Sequence, residues 1–173
     1  MSLSDEYQSV SDDILKPKIK IAELKAIELW ENYCDRKIPV VLNDIIQKMA
    51  IPTVGMDNIS THGYTKTDSD GNTIIVYNKN IPPHRQRFTV AHELGHIALE
   101  HTSIFGDCDQ YSKKSQEKEA DAFAGELLIP SPDLKFFLKT PKSIQEIIDR
   151  YNTSKEVIFI AIQKNKLLKK IKS

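Results

Sequence analysis

The chain has 173 residues, of which 40% are hydrophobic and 28% charged, and its 24 basic side chains cancel its 24 acidic ones. That length suits one domain with a real core, and the cancelled charge leaves no global field pulling the protein onto nucleic acid or a membrane surface. No run of about 18 apolar residues exists to span a bilayer, and the polar, acidic start MSLSDEYQSVSDD has neither the basic nor the apolar stretch of a signal peptide.

Residues 1–16 carry few apolar side chains in no pattern and are expected to be a flexible lead-in. Pro17 suits the first turn of a helix in which Ala22, Ala26, Leu29, Trp30 and Tyr33 recur at helical spacing. Pro39 precedes a short helix over Val40–Met49, with Val41, Ile45, Ile46 and Met49 on one face. Residues 59–66 and 73–78 flank the turn sequence DSDGN, and Ile74–Tyr77 is β-branched and aromatic, so a hairpin or part of a small antiparallel sheet is predicted. A helix follows from about His84 to His101, then a loop with Gly106 and Asp107, then a helix from about Lys114 to Leu128 that Pro130 and Pro132 stop. A helical piece lies near Leu134–Leu138. Ser143 and Glu146 form a capping box for Ile144–Tyr151, and Thr153 or Ser154 caps a last helix over Val157–Leu168. The two cysteines, Cys34 and Cys108, form no CxxC pair and suit a reduced, cytoplasmic setting.

The informative stretch is His92-Glu93-Leu94-Gly95-His96. Residues four apart on a helix differ by about 40° and one turn, so both imidazoles leave one face and can meet on one ion. Zinc accepts imidazole nitrogen at about 2.0–2.1 Å, which this spacing permits. Glu93 falls about 100° beyond His92, beside such an ion, where a base that draws a proton from water belongs. Between Arg87 and Glu100 it is the only charged residue apart from the histidines, and an unpaired buried carboxylate is costly unless a cation is near. Gly95, inside the helix, suggests that a strand or a substrate packs close there.

A catalytic zinc needs a third protein ligand and an open position. Position 102, six residues after His96, is Thr102 and position 99 is Leu99, which excludes the class of zinc site whose third histidine stands six residues on. His101 falls about 140° around the helix from His96 and is expected to point elsewhere. The acids Glu117 and Glu119 on the following helix remain as candidates. Glu117 lies about 50° and Glu119 about 110° from the centre of its apolar face, so Glu117 is favoured and Glu119 reads as solvated, as does Glu126. Asp121, one turn after Glu117, can accept the free N–H of a ligating histidine.

RQRFTVAHELGHIALEH followed by EKEADAFAGELLIP resembles the ImmA/IrrE family of zincin metallopeptidases, closely over about residues 74–130 and loosely over 20–165. The resemblance implies an α+β fold: a compact zincin-like domain (17–140) with an active-site helix and a small, mostly antiparallel sheet, plus a C-terminal helical extension (141–173) packed on it. It implies Zn2+ held by His92, His96 and Glu117, with Glu93 as general base and Asp121 at the family's Asp/Asn position. Members act in bacterial, phage or mobile-element regulation and cleave a helix-turn-helix repressor, so a protein substrate of that kind is implied.

Ile74–Tyr77 is read as an edge strand for substrate. Tyr77, His84, Arg85 and His101 are the candidates for steadying an oxyanion. One alternative is a non-catalytic module that binds a repressor or toxin partner. Another is DNA binding by the two short helices of Ser143–Lys169, against which their amphipathic packing faces argue.

Overall fold

The computed structural model describes residues 17–101 and 110–172. The lead-in over 1–16, Cys108, and the loop carrying Gly106 and Asp107 lie outside them. The described elements are helices α1 (Ile19–Tyr33) and α2 (Leu42–Lys48), strands β1 (Thr53–Met56), β2 (Gly63–Thr67) and β3 (Thr73–Asn78), then helices α3 (Pro83–Ala98), α4 (Gln110–Leu128), α5 (Ser131–Phe137), α6 (Ile144–Tyr151) and α7 (Lys155–Lys164). A 3-10 turn over Leu168–Lys170 follows. None of these helices is long and apolar enough to cross a membrane.

The helical spacing in α1 has its packing reason. Ala22, Ala26, Leu29 and Trp30 are all buried, and α1 lies along α4. In α2 the buried set is Leu42, Ile45 and Ile46, whereas Val41 stays largely exposed. Val41 is the extended residue before the helix (φ −91°, ψ 94°), so helical phase does not govern its side chain.

The sheet is mixed, in the order β1-β3-β2. The expected hairpin is present: β2 runs antiparallel to β3 from Gly63↔Tyr77 to Thr67↔Thr73. Asp68 closes its turn by accepting the backbone N–H groups of Asp70 (2.9 Å) and Asn72 (2.8 Å). β1 pairs parallel to β3 from Thr53↔Ile75 to Met56↔Asn78. Four residues (TVGM), one of them glycine, gave no strand signal in the sequence. β3 is therefore central, with both its edges paired, and cannot accept a substrate strand as expected. The outer strands among the described residues are β1 and β2, and β2 is the one whose residues line the cleft described below.

α3 starts with Pro83 at its first position and ends at Ala98, three residues before the expected His101. It buries Thr89, Val90, Ala91, Glu93, Leu94 and Gly95. Gly95 marks its crossing with α4, because a Cβ there would fall 3.0 Å from a Phe123 ring carbon and 3.3 Å from the Ala120 Cα. The close neighbour is thus a helix, not the strand or substrate expected from the sequence. Gly63 plays the same part between β2 and α3, where a Cβ would meet the Thr89 methyl at 2.4 Å.

Beyond α4, Glu126 is 3% exposed rather than solvated. It accepts the Ser131 backbone N–H and hydroxyl, each at 2.8 Å, and pairs with Lys164. α6 has its Ser143–Glu146 capping box. Ser154, not Thr153, caps α7, which stops at Lys164 before the 3-10 turn. Ile147, Tyr151, Ile158 and Ile162 of α6 and α7 join the main core.

Candidate metal centre

α3 and α4 meet so that one turn of each faces the other near its solvent-facing side. His92 and His96 leave the same face of α3, one turn apart, and their Nε2 atoms stand 3.1 Å from each other. Glu117 reaches across from α4. One of its carboxylate oxygens lies 3.4 Å from His92 Nε2 and the other 3.5 Å from His96 Nε2. These three side chains offer ligand atoms that all lie within 4.8 Å of one another.

The spacing can be tested against a cation. Tetrahedral ligands about 2.0–2.1 Å from zinc must stand about 3.3 Å from each other. The 3.1, 3.4 and 3.5 Å separations bracket that value, the last two ending on different oxygens of Glu117. Two neutral imidazoles and one carboxylate are also a donor set that suits zinc, and three ligands leave a fourth position free. The residues fit the ion.

Each histidine is held from behind. His92 Nδ1 is 2.9 Å from an Asp121 carboxylate oxygen. His96 Nδ1 is 3.0 Å from His101 Nδ1. His101 thus stays out of the ligand triangle, but it does not point elsewhere as the angle count had it. That count assumed a continuing helix, whereas α3 ends at Ala98 and Glu100 turns the chain back with φ 55°. Glu119 is likewise not solvated. Its side chain is 14% exposed, and its carboxylate lies 2.9 Å from His101 Nε2.

Burial and charge tune the acid–base groups. Desolvation opposes protonation of His92, but the hydrogen bond and charge of Asp121, with Glu93 and Glu117 close by, raise its pKa above the ordinary value. Desolvation, reinforced by the neighbouring His92 and His101, pushes His96 down to about 4. Burial holds the Glu93 carboxyl above the usual carboxylate range, although His92 and a backbone hydrogen bond from Thr65 pull the other way.

The centre opens into a cleft of about 1230 Å³. Gly63, Tyr64 and Thr65 of β2 form one wall beside His92 and Glu93, while Val157 and Ile160 of α7 lie across it. Of the oxyanion candidates, His84 and Arg85 line this cleft, as does His101, but Tyr77 does not. The Tyr77 ring packs instead against Gly55 of β1. His62 and Tyr64 line the cleft too and were missed in the sequence, since their place depends on the unforeseen strand order.

A family model described as Peptidase_M78, IrrE N-terminal-like domain, matches residues 47–162, well over half of the chain. A solved structure titled "Mycobacterium tuberculosis transcriptional regulator" is similar at TM-score 0.50 and 14% identity, with 80% of this chain and 41% of that one covered. At that identity the likeness speaks for the fold alone, and this chain spans less than half of that protein's length. No curated protein matches the chain.

Proposed function

The chain belongs to the Peptidase_M78 family of IrrE N-terminal-like domains, and from that membership we propose that it is a zinc-dependent endopeptidase working at the α3–α4 centre. The observation that carries this reading is the convergence of His92, His96 and Glu117, with the two Nε2 atoms 3.1 Å apart and each within 3.4–3.5 Å of a Glu117 oxygen, and with the buried Glu93 beside them at a cleft.

In this reading His92, His96 and Glu117 hold the metal, and Asp121 orients the His92 ring. Bound zinc supplies Lewis-acid polarisation of the scissile carbonyl and a lowered pKa for water. Glu93 takes the proton of the attacking water and returns it to the leaving amine. A carboxyl whose pKa burial has raised is a stronger base for that step. The outer edge of β2 receives the substrate as an added strand, which fixes the peptide by main-chain hydrogen bonds. His84 and Arg85 are our choice for steadying the oxyanion. The substrate class we propose is a helix-turn-helix repressor of a bacterial, phage or mobile-element circuit in the cytoplasm, following the resemblance in the HELGH and EKEADAF segments. The regulator title of the similar solved structure is compatible with that setting.

Glu93→Gln tests the reading. With a repressor encoded beside this gene as substrate, the wild-type protein with one bound zinc should cleave it. The variant should keep its zinc and lose at least about 100-fold in rate. Equal cleavage by the variant would remove Glu93 from the mechanism. A wild-type protein that binds the repressor tightly without cleaving it would favour the binding-module alternative.

A further inference from the structure

We propose that His101 and Glu119 form a buried relay that fixes the His96 ring in the tautomer presenting Nε2 to the metal; this rests on His96 being a ligand. Once His96 ligates through Nε2, one arrangement of protons satisfies the contacts behind it. His96 Nε2 must be bare to ligate, so its proton sits on Nδ1 and is donated to His101 Nδ1 at 3.0 Å. His101, having accepted there, carries its own proton on Nε2 and donates it to Glu119 at 2.9 Å. The second oxygen of Glu119 accepts the Lys18 backbone N–H at 2.6 Å, which anchors the carboxylate from the start of α1. A ring held this way loses little orientational freedom when it ligates, and its nitrogen is a better electron donor.

Two further features bear on this relay. The His101 side chain is 6% exposed, whereas Asp121, which backs the other ligand, is 61% exposed. The His96 arm is thus much less exposed than the His92 arm. The helix stop delivers His101 to its place. Glu100 holds φ at 55° in a left-handed C-terminal stop, which returns the His101 N–H to the His96 carbonyl (N–O 2.9 Å) and its ring to the His96 ring. His101 and Glu119 are therefore positioning residues that act through His96.

The test is nitrogen NMR of the metal-free protein together with zinc affinity measured by chelator competition. His96 should carry its proton on Nδ1 in the wild-type protein. In His101→Phe, which keeps a ring but cannot accept, that preference should vanish while the His92 tautomer stays the same. Zinc affinity should fall ten- to a hundredfold in His101→Phe and by a smaller factor in Glu119→Gln. Glu119→Gln keeps the shape of the side chain, so it also decides the matter if His101→Phe fails to fold. A wild-type His96 protonated on Nε2, or zinc affinities within twofold of wild type in the folded variants, would overturn the relay. Because the tautomer is read without metal or substrate, a protein that cleaves nothing would defeat the peptidase reading and leave this one standing.

Discussion

His96 resists protonation in the folded chain down to about 4, whereas an unperturbed histidine takes its proton near 6.5. Between those values the unfolded chain binds the extra proton, so the contribution of His96 to stability is intact above about 6.5 and is lost as pH falls toward about 4. His92 has the opposite sign. Its raised pKa gives stability below 6.5 that disappears as pH rises through the folded value. In metal-free protein His96→Gln should therefore flatten the fall in Tm between pH 7 and pH 4. An unchanged acid limb would show that His96 does not drive it. At this scale the two histidines and Glu93 were legible because helical spacing alone converges their side chains. His101 and Glu119 were not, because one lies past an unforeseen helix end and the other finds its partner 18 residues away.

The crossing of α3 and α4 decides whether the triangle exists at all. Gly95→Ala gains about 1 kcal/mol of helix propensity, but its methyl would sit 3.0 Å from Phe123 and 3.3 Å from the backbone of α4. Overpacking of that kind costs about 1–3 kcal/mol, so the variant should melt lower than wild type and bind zinc more weakly as Glu117 is pushed from the imidazoles. A rise in Tm with full zinc affinity would show that the interface yields without moving the ligands. The helices themselves could be read from the sequence, since their apolar spacing and the Ser143–Glu146 box are local signals. The strand order could not, because β1 is too short to announce itself and a parallel partner leaves no turn between the strands it joins. Glu126 escaped for a related reason: its partner Lys164 is 38 residues away on α7.

For the whole molecule, the three proposed ligands tie α3 to α4 across a loop, so metal binding and folding are linked. Any ligand of the native state stabilises it by RT ln(1 + [L]/Kd), about 4 kcal/mol at a thousandfold excess over Kd. Stripping the metal with a strong chelator should lower Tm by several degrees, and adding zinc back should restore it. A melting curve indifferent to chelator and to added zinc would argue that no ion belongs there.

The outer rim of β2 has one more consequence, for self-association. An outer strand that can dock a substrate can also zip onto another copy of the chain. The strand is short, five residues of sequence GYTKT, without a large aliphatic side chain and with Lys66 exposed on it. A cation there repels its own image when two such rims approach. Lys66→Val should accordingly make concentrated protein clump, as light scattering would record, while leaving the dilute protein folded.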